Sequence, residues 1–166
     1  MERLQIAGAL ILALALLTAG CVNPFAPSLS GSAGSLWTDA STVGGLFQNF
    51  STAYQLADSL QYADLLDEQF QFQYYDQNML RTDGWYRDTD LLATSRMFRS
   101  FHDIALIWSF RNPSDAAIAT PDSMVDVLMS YRLNLDDLSV LEGFARFTLL
   151  KPAGGKFRIV LWRDDF

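Results

Sequence analysis

The sequence has few of the residues on which most metal and nucleophile sites depend. Its 166 residues include one cysteine and one histidine. One cysteine has no partner for an intramolecular disulfide, and a single Cys–His pair is too small a ligand set for zinc. No Gly-rich phosphate loop and no serine-centred nucleophile motif occurs. We therefore expect neither a metal site nor a cofactor.

Basic residues are also scarce. The chain has 12 lysines and arginines against 19 acidic residues, which gives a formal net charge of −7. The basic residues form no cluster, and an acidic domain repels phosphate backbones, so nucleic acid is excluded as an expected partner. Aromatic residues make up 13% of the chain, which indicates a packed domain and not a disordered one.

No apolar run is long enough to span a membrane. Every residue from 6 to 17 is apolar or glycine, whereas a membrane-spanning helix needs roughly 20 such residues. A run of this length, followed by small residues, is typical of a secretory signal. Residues 17–21 (LTAGC) place the only cysteine directly after the small residues and resemble the end of a bacterial lipoprotein signal. The resemblance implies that Cys21 becomes the lipidated first residue of the mature protein.

This interpretation divides the chain into three parts. Residues 1–20 are the expected signal peptide, residues 21–40 a flexible tether rich in serine, proline and glycine, and residues 41–166 the folded domain. The expected location is a bacterial membrane, with the protein lipid-anchored on the periplasmic or outer-membrane side. An ordinary cleaved signal followed by an incidental cysteine is the alternative.

Helical spacing of apolar residues marks three segments in the folded part. A first helix begins at Val43, with Ser41 or Thr42 as its cap. A short second helix is expected with Ser59 as its cap. A third begins at Asp88 after a polar loop.

Alternation of apolar and polar residues marks the strands, at residues 70–74, 104–110, 125–135, 144–149 and 157–164. Only the first of these strands precedes the third helix. A turn at Asp136 and a Gly-containing loop at residues 152–155 join later strands as hairpins. This order predicts an α+β domain, with three helices in the N-terminal half packed on one face of an antiparallel sheet.

Three short motifs occur in a definite order along this domain. An acidic short helix runs into Phe70-Gln71-Phe72, Trp85 opens the third helix, and the final strand ends in Trp162-Arg163-Asp164. Residues 43–164 thereby resemble the nuclear transport factor 2-like superfamily, and within it bacterial lipoproteins of unassigned function. The resemblance implies a cone-shaped domain with a curved antiparallel sheet. It does not imply one activity, because this fold hosts isomerases, dehydratases, transport adaptors and assembly modules.

A cone of this kind implies an apolar cavity between the third helix and the sheet. The expected lining comes from large side chains on the core faces of helices and strands: Tyr54, Trp85, Phe98, Trp108, Met129 and Tyr131. Such rings either fill a cone or line it, and the sequence leaves both alternatives open. Trp162, in the final strand, is expected to be substantially buried.

Polar residues do not identify a reaction. Enzymes of the superfamily such as ketosteroid isomerase place an aspartate base inside the cone. None of the polar residues expected near the cavity matches their motif: Tyr54, Tyr62, Asp67, Tyr74 and Tyr131. We expect His102 at a helix end or in a loop, and Asp164 in a solvated turn.

Two classes of function remain. One is a non-catalytic envelope module that binds a small apolar molecule or a partner protein through the cone. The alternative is an isomerase, dehydratase or hydrolase whose site is not recognisable from the sequence.

Overall fold

The computed structural model describes residues 36–117, 124–136 and 139–165. The expected signal peptide, Cys21 and most of the expected tether lie outside these residues. Residues Leu36–Phe166 form one compact unit. Within the described ranges, no helix combines the length and the apolar composition needed to cross a bilayer.

Three helices and six strands make up the described domain. In chain order they are α1 (Val43–Gln55), α2 (Ser59–Leu65), β1 (Leu66–Asp76), β2 (Arg81–Tyr86), α3 (Arg87–Ser100), β3 (Ile104–Phe110), β4 (Met124–Leu135), β5 (Ser139–Leu150) and β6 (Arg158–Asp165), with a short 3₁₀ turn (Pro113–Ala117) after β3. The α+β class expected from the sequence is confirmed.

Side-chain caps fix where the first two helices begin. The Thr42 hydroxyl accepts a hydrogen bond from the backbone N–H of Gly45, at 3.0 Å, and so caps α1. The sequence had suggested Ser59 as the cap of α2, but the cap is Asp58. The Asp58 carboxylate accepts from the backbone N–H groups of Leu60 and Gln61, so it satisfies two of the free donors at the start of the helix.

The strands form a single sheet in the order β2-β1-β6-β5-β4-β3. Every neighbouring pair is antiparallel except β1 and β6, which run parallel. The expectation of a purely antiparallel sheet is therefore wrong at this pair, and the sheet is mixed. Strand β2 was also missed, because the expected polar loop between the second and third helices contains an edge strand paired with β1.

Helix α1 contributes the centre of the core. Phe50 is fully buried and contacts the rings of Tyr54, Trp108 and Trp162 at centroid distances of 5.3, 5.3 and 5.7 Å. Trp162, expected to be substantially buried, is partly buried and packs against this core. Its exposed part borders the cavity described next.

Candidate functional site

A cavity of about 460 Å³ lies between α3 and the sheet. Its wall is drawn from α1, α3 and all six strands. Most of the lining side chains are aromatic or aliphatic: Tyr54, Phe72, Trp85, Ala93, Met97, Leu106, Trp108, Tyr131, Leu133, Leu141 and Trp162. Thr94, Asp90, Glu142 and Asp164 complete the wall. The volume falls in the range of small-molecule pockets, about 300–1,000 Å³.

An aromatic row on four neighbouring strands forms one side of this region. Trp85 on β2 is paired with Phe72 on β1, Phe72 with Trp162 on β6, and Trp162 with Phe147 on β5. The successive ring centroids are 4.4, 5.1 and 5.3 Å apart. Alternation in the strands points these residues to one face, so cross-strand pairing brings them together.

Strands β3 and β4 supply a second aromatic pair. Trp108 is paired with Tyr131, and their ring centroids are 5.5 Å apart. Trp108 also lies 5.8 Å from Trp162, which joins this pair to the aromatic row. The indole N–H groups of Trp108 and Trp162 are buried and have no acceptor among the described residues.

Asp90 introduces a carboxyl group into this apolar wall. It lies in the first turn of α3 and is 4% exposed. The Tyr62 hydroxyl donates to its Oδ2 atom at 2.6 Å, and Trp85 Nε1 donates to its Oδ1 atom at 3.0 Å. Burial raises the pKa of Asp90 above its ordinary value, although the two donors act in the opposite direction.

Tyr131 and Asp164 form a second polar pair in the wall. Gly143 lies opposite Tyr131 on β5, and a Cβ atom at that position would lie 2.8 Å from the Tyr131 hydroxyl oxygen. Because Gly143 has no side chain, the Tyr131 ring has room to extend across β5 toward β6. Burial and the adjacent Asp164 carboxylate, which takes a hydrogen bond from Tyr131, raise the pKa of Tyr131 to about 12.

Four of the six residues expected to line the cavity lie in its wall: Tyr54, Trp85, Trp108 and Tyr131. The other two belong to the closed core. Phe98 is 6% exposed and packs edge-on against Tyr54, with 5.1 Å between ring centroids. Met129 shares a face of β4 with Tyr131 but is completely buried in the hydrophobic core.

The two buried carboxyl groups of the wall were not predicted from the sequence. Asp164 was assigned to a solvated turn, yet it lies in β6 and is 8% exposed. Asp90 precedes Thr94 by four residues and Phe98 by eight, and that spacing was the available signal of a shared helix face. Conversely, Asp67 lies outside the wall, where its carboxylate accepts from the backbone N–H of Gln69.

His102 takes no part in the cavity. It is exposed between α3 and β3, as a helix-end or loop residue would be, and its backbone N–H donates to Asp136 at 2.9 Å. In the ranges that the structure describes, no three His, Cys, Asp or Glu residues are grouped to hold a metal ion.

Comparison with known proteins identifies the fold. No family model and no curated protein matches the chain. Solved structures do match. A conserved protein from Planctomyces limnophilus is 12% identical, with a TM-score of 0.56 and coverage of 72% of this chain and 89% of that one. A domain of unknown function with a cystatin-like fold, from Nostoc punctiforme, is 11% identical, with a TM-score of 0.56 and 76% coverage of each chain.

A third matching structure is described as a putative calcium/calmodulin-dependent protein kinase type II association domain from Thiobacillus denitrificans. It is 12% identical, with a TM-score of 0.54, and the match covers 75% of this chain and 94% of that one. The likeness shows the fold alone. It is a cystatin-like α+β cone, in agreement with the fold that the resemblance to nuclear transport factor 2-like domains implied.

Proposed function

We propose that the domain binds a small, largely apolar molecule in the cavity between α3 and the sheet. The observation that carries this proposal is the wall itself, in which three tryptophans, two tyrosines and a phenylalanine surround about 460 Å³. Large apolar pockets with a few polar groups are the usual sites of small ligands.

The buried indole N–H groups of Trp108 and Trp162 support the same proposal. A buried donor without an acceptor is costly to the folded protein. A bound molecule with an oxygen or nitrogen acceptor would reduce that cost if it reached either group. Ligand binding therefore offers these side chains a partner that the described residues do not provide.

A direct test uses residues 21–166 with Cys21→Ser, because this chain keeps the complete compact unit and cannot be acylated. The compact neutral probe 1-adamantanol should bind and change the tryptophan fluorescence. Ala93→Phe places a ring in the cavity wall and should weaken binding by about tenfold or more, a loss of roughly 1.4 kcal/mol. Leu92→Phe is the matched control, because Leu92 is 48% exposed on the same helix and lies outside the wall.

Absence of probe binding would contradict the proposal. Equal weakening by Ala93→Phe and Leu92→Phe would contradict it as well, since the second substitution leaves the cavity unchanged. Near-ultraviolet circular dichroism of each variant establishes that the loss of binding is not a loss of fold.

We also propose that the domain is held at a bacterial membrane through lipid on Cys21. The support is the apolar stretch at residues 6–17, the small residues before the cysteine, and the absence of any second cysteine in the chain. More than one acyl chain is needed for stable attachment, and the lipoprotein resemblance implies that number.

Acid–base catalysis on the bound molecule is the second candidate function. It is favoured by Asp90, a wall residue whose pKa is raised by burial and whose carboxylate accepts a 2.6 Å hydrogen bond from the Tyr62 hydroxyl behind the wall. A screen with ester, hydroxy-acid and unsaturated-ketone substrates tests this candidate. Turnover that disappears in Asp90→Asn, and persists in the exposed Asp88→Asn, would establish catalysis. The absence of any turnover would leave binding as the function.

A further inference from the structure

The charged groups of the cavity wall all have one sign. Asp90, Glu142 and Asp164 are acidic, and no lysine, arginine or histidine is among the lining residues. Glu142 is paired with Arg132 at 3.3 Å, and both side chains are more than half exposed. The buried carboxyl groups of the wall are therefore Asp90 and Asp164, which are 4% and 8% exposed.

Asp90 lacks a cationic partner within the described part of the chain. The ion pairs found there involve Asp64, Asp83 and Glu142. The hydrogen-bond donors to Asp90 are both neutral, a phenol and an indole. Buried carboxylates in proteins are ordinarily paired with a cation or a metal ion, so a neutral environment of this kind is incomplete for an ionised Asp90.

The aromatic part of the wall favours the same type of partner. The π-face of tryptophan attracts ammonium groups more strongly than that of any other side chain, and Trp85, Trp108 and Trp162 all contribute to this wall. Trp85 links the carboxylate to the aromatic part of the wall, because its indole N–H donates to Asp90 while its ring is stacked on Phe72. Aromatic faces next to carboxylates form a site that suits an organic cation and repels an organic anion.

We propose that the ligand of this cavity is an amphiphilic organic cation, a compact apolar body that carries an ammonium group. Its apolar body lies against the tryptophans and its ammonium group lies at Asp90. This inference rests on the proposed binding function and adds the charge of the ligand to it.

Three probes of nearly the same shape and different charge test the inference on residues 21–166 with Cys21→Ser. They are 1-aminoadamantane, which is cationic at neutral pH, 1-adamantanol, which is neutral, and adamantane-1-carboxylate, which is anionic. We expect the ammonium probe to bind about tenfold more tightly than the alcohol, and the carboxylate more weakly than both, by calorimetric titration.

A variant that removes one negative charge tests which carboxylate produces the preference for the ammonium probe. Asp90→Asn should reduce the ratio of the affinity for the ammonium probe to the affinity for the alcohol. Asp88→Asn is the matched control, because Asp88 is an exposed carboxylate in the same first turn of α3 and lies outside the wall. It makes the same change in net charge and should leave the preference intact.

The outcomes separate the two proposals. If the alcohol binds as well as the ammonium probe, or the carboxylate binds most tightly, the inference about charge is wrong and the binding function stands. If none of the three probes binds, both are wrong. A preference that survives Asp90→Asn, or that falls equally in Asp88→Asn, overturns the assignment to Asp90. Near-ultraviolet circular dichroism shows in each case that the variant is folded.

Discussion

Trp162 should make a large contribution to stability although it is only partly buried. Its ring contacts Phe50, Phe72, Trp108 and Phe147, at centroid distances of 5.7, 5.1, 5.8 and 5.3 Å. It therefore joins α1 to both halves of the sheet. Truncation to alanine removes all four contacts from the point where the aromatic row meets the helix.

The expected loss in the free energy of unfolding follows from the buried area of the Trp162 side chain and from its packing. A tryptophan buries about 150–250 Å², which at about 25 cal/mol per Å² corresponds to about 4–6 kcal/mol for complete burial. One side of Trp162 faces the cavity and has no packed neighbours to lose. We therefore expect Trp162→Ala to lower the free energy of unfolding by about 3 kcal/mol, at the lower end of values for large core aromatics.

Urea unfolding of residues 21–166 with Cys21→Ser measures this loss. With a slope of about 2 kcal/mol per M, the midpoint should fall by about 1.5 M. Tyr86→Ala is a suitable control, because Tyr86 is 68% exposed and its truncation should change the free energy by less than about 0.5 kcal/mol. A loss below about 1 kcal/mol for Trp162→Ala, or one no larger than that of the control, would refute the reasoning.

Two further predictions concern the membrane anchor and the pH dependence of stability. Cells expressing the full chain should incorporate labelled palmitate into the protein, and Cys21→Ser should abolish the label; labelling of the variant would contradict the anchor. The backbone N–H groups of Asp103 and His102 donate to Asp136 at 2.8 and 2.9 Å and hold the pKa of that carboxyl below its ordinary value. Its contribution to stability is therefore present above the unfolded pKa of 3.8 and is lost as the pH falls through the lowered folded value. Asparagine tolerates the positive φ of 48° at this position but carries no charge. Asp136→Asn should accordingly be less stable than the unsubstituted domain near pH 6, and the difference in urea midpoint should shrink toward about pH 2.5; a difference that stays constant would show that the charge has no role.

Local patterns were sufficient for the elements whose burial alternates regularly. Strand β3 and helix α1 begin where the sequence predicted, because their apolar residues keep one period from the first residue onward. Strand β2 was not recognisable, since Arg81–Tyr86 is an edge strand with exposed residues and a central glycine. Its pairing with β1, not its own composition, makes it a strand.

Local sequence patterns could predict neither which strands pair in the sheet nor which polar residues lie in the site, for a related reason. Periodicity indicates which face of a strand is buried but not which strand lies beside it, so the parallel β1–β6 pair could not be read from the sequence. Asp164 lies on β6 inside the sheet, and Tyr131 on β4 donates a hydrogen bond to it, a contact that depends on the strand order. A buried aspartate in the first turn of a helix, such as Asp90, also resembles an ordinary solvated charge at a helix N-terminus.

The position of β6 has a consequence for how the chain can fold. Strand β6 comes after the other five described strands in the chain, yet it lies in the interior of the sheet and separates β1 from β5. Until residues 158–165 have left the ribosome, β1 and β2 form a hairpin with one unpaired inner edge, and the β3–β5 meander has another. Contacts between the beginning and the end of a domain have a high entropic cost and form slowly. The aromatic row, which includes Trp162 of β6, is therefore assembled only after β6 has been synthesised, and a chain truncated before β6 would lack the middle of its sheet.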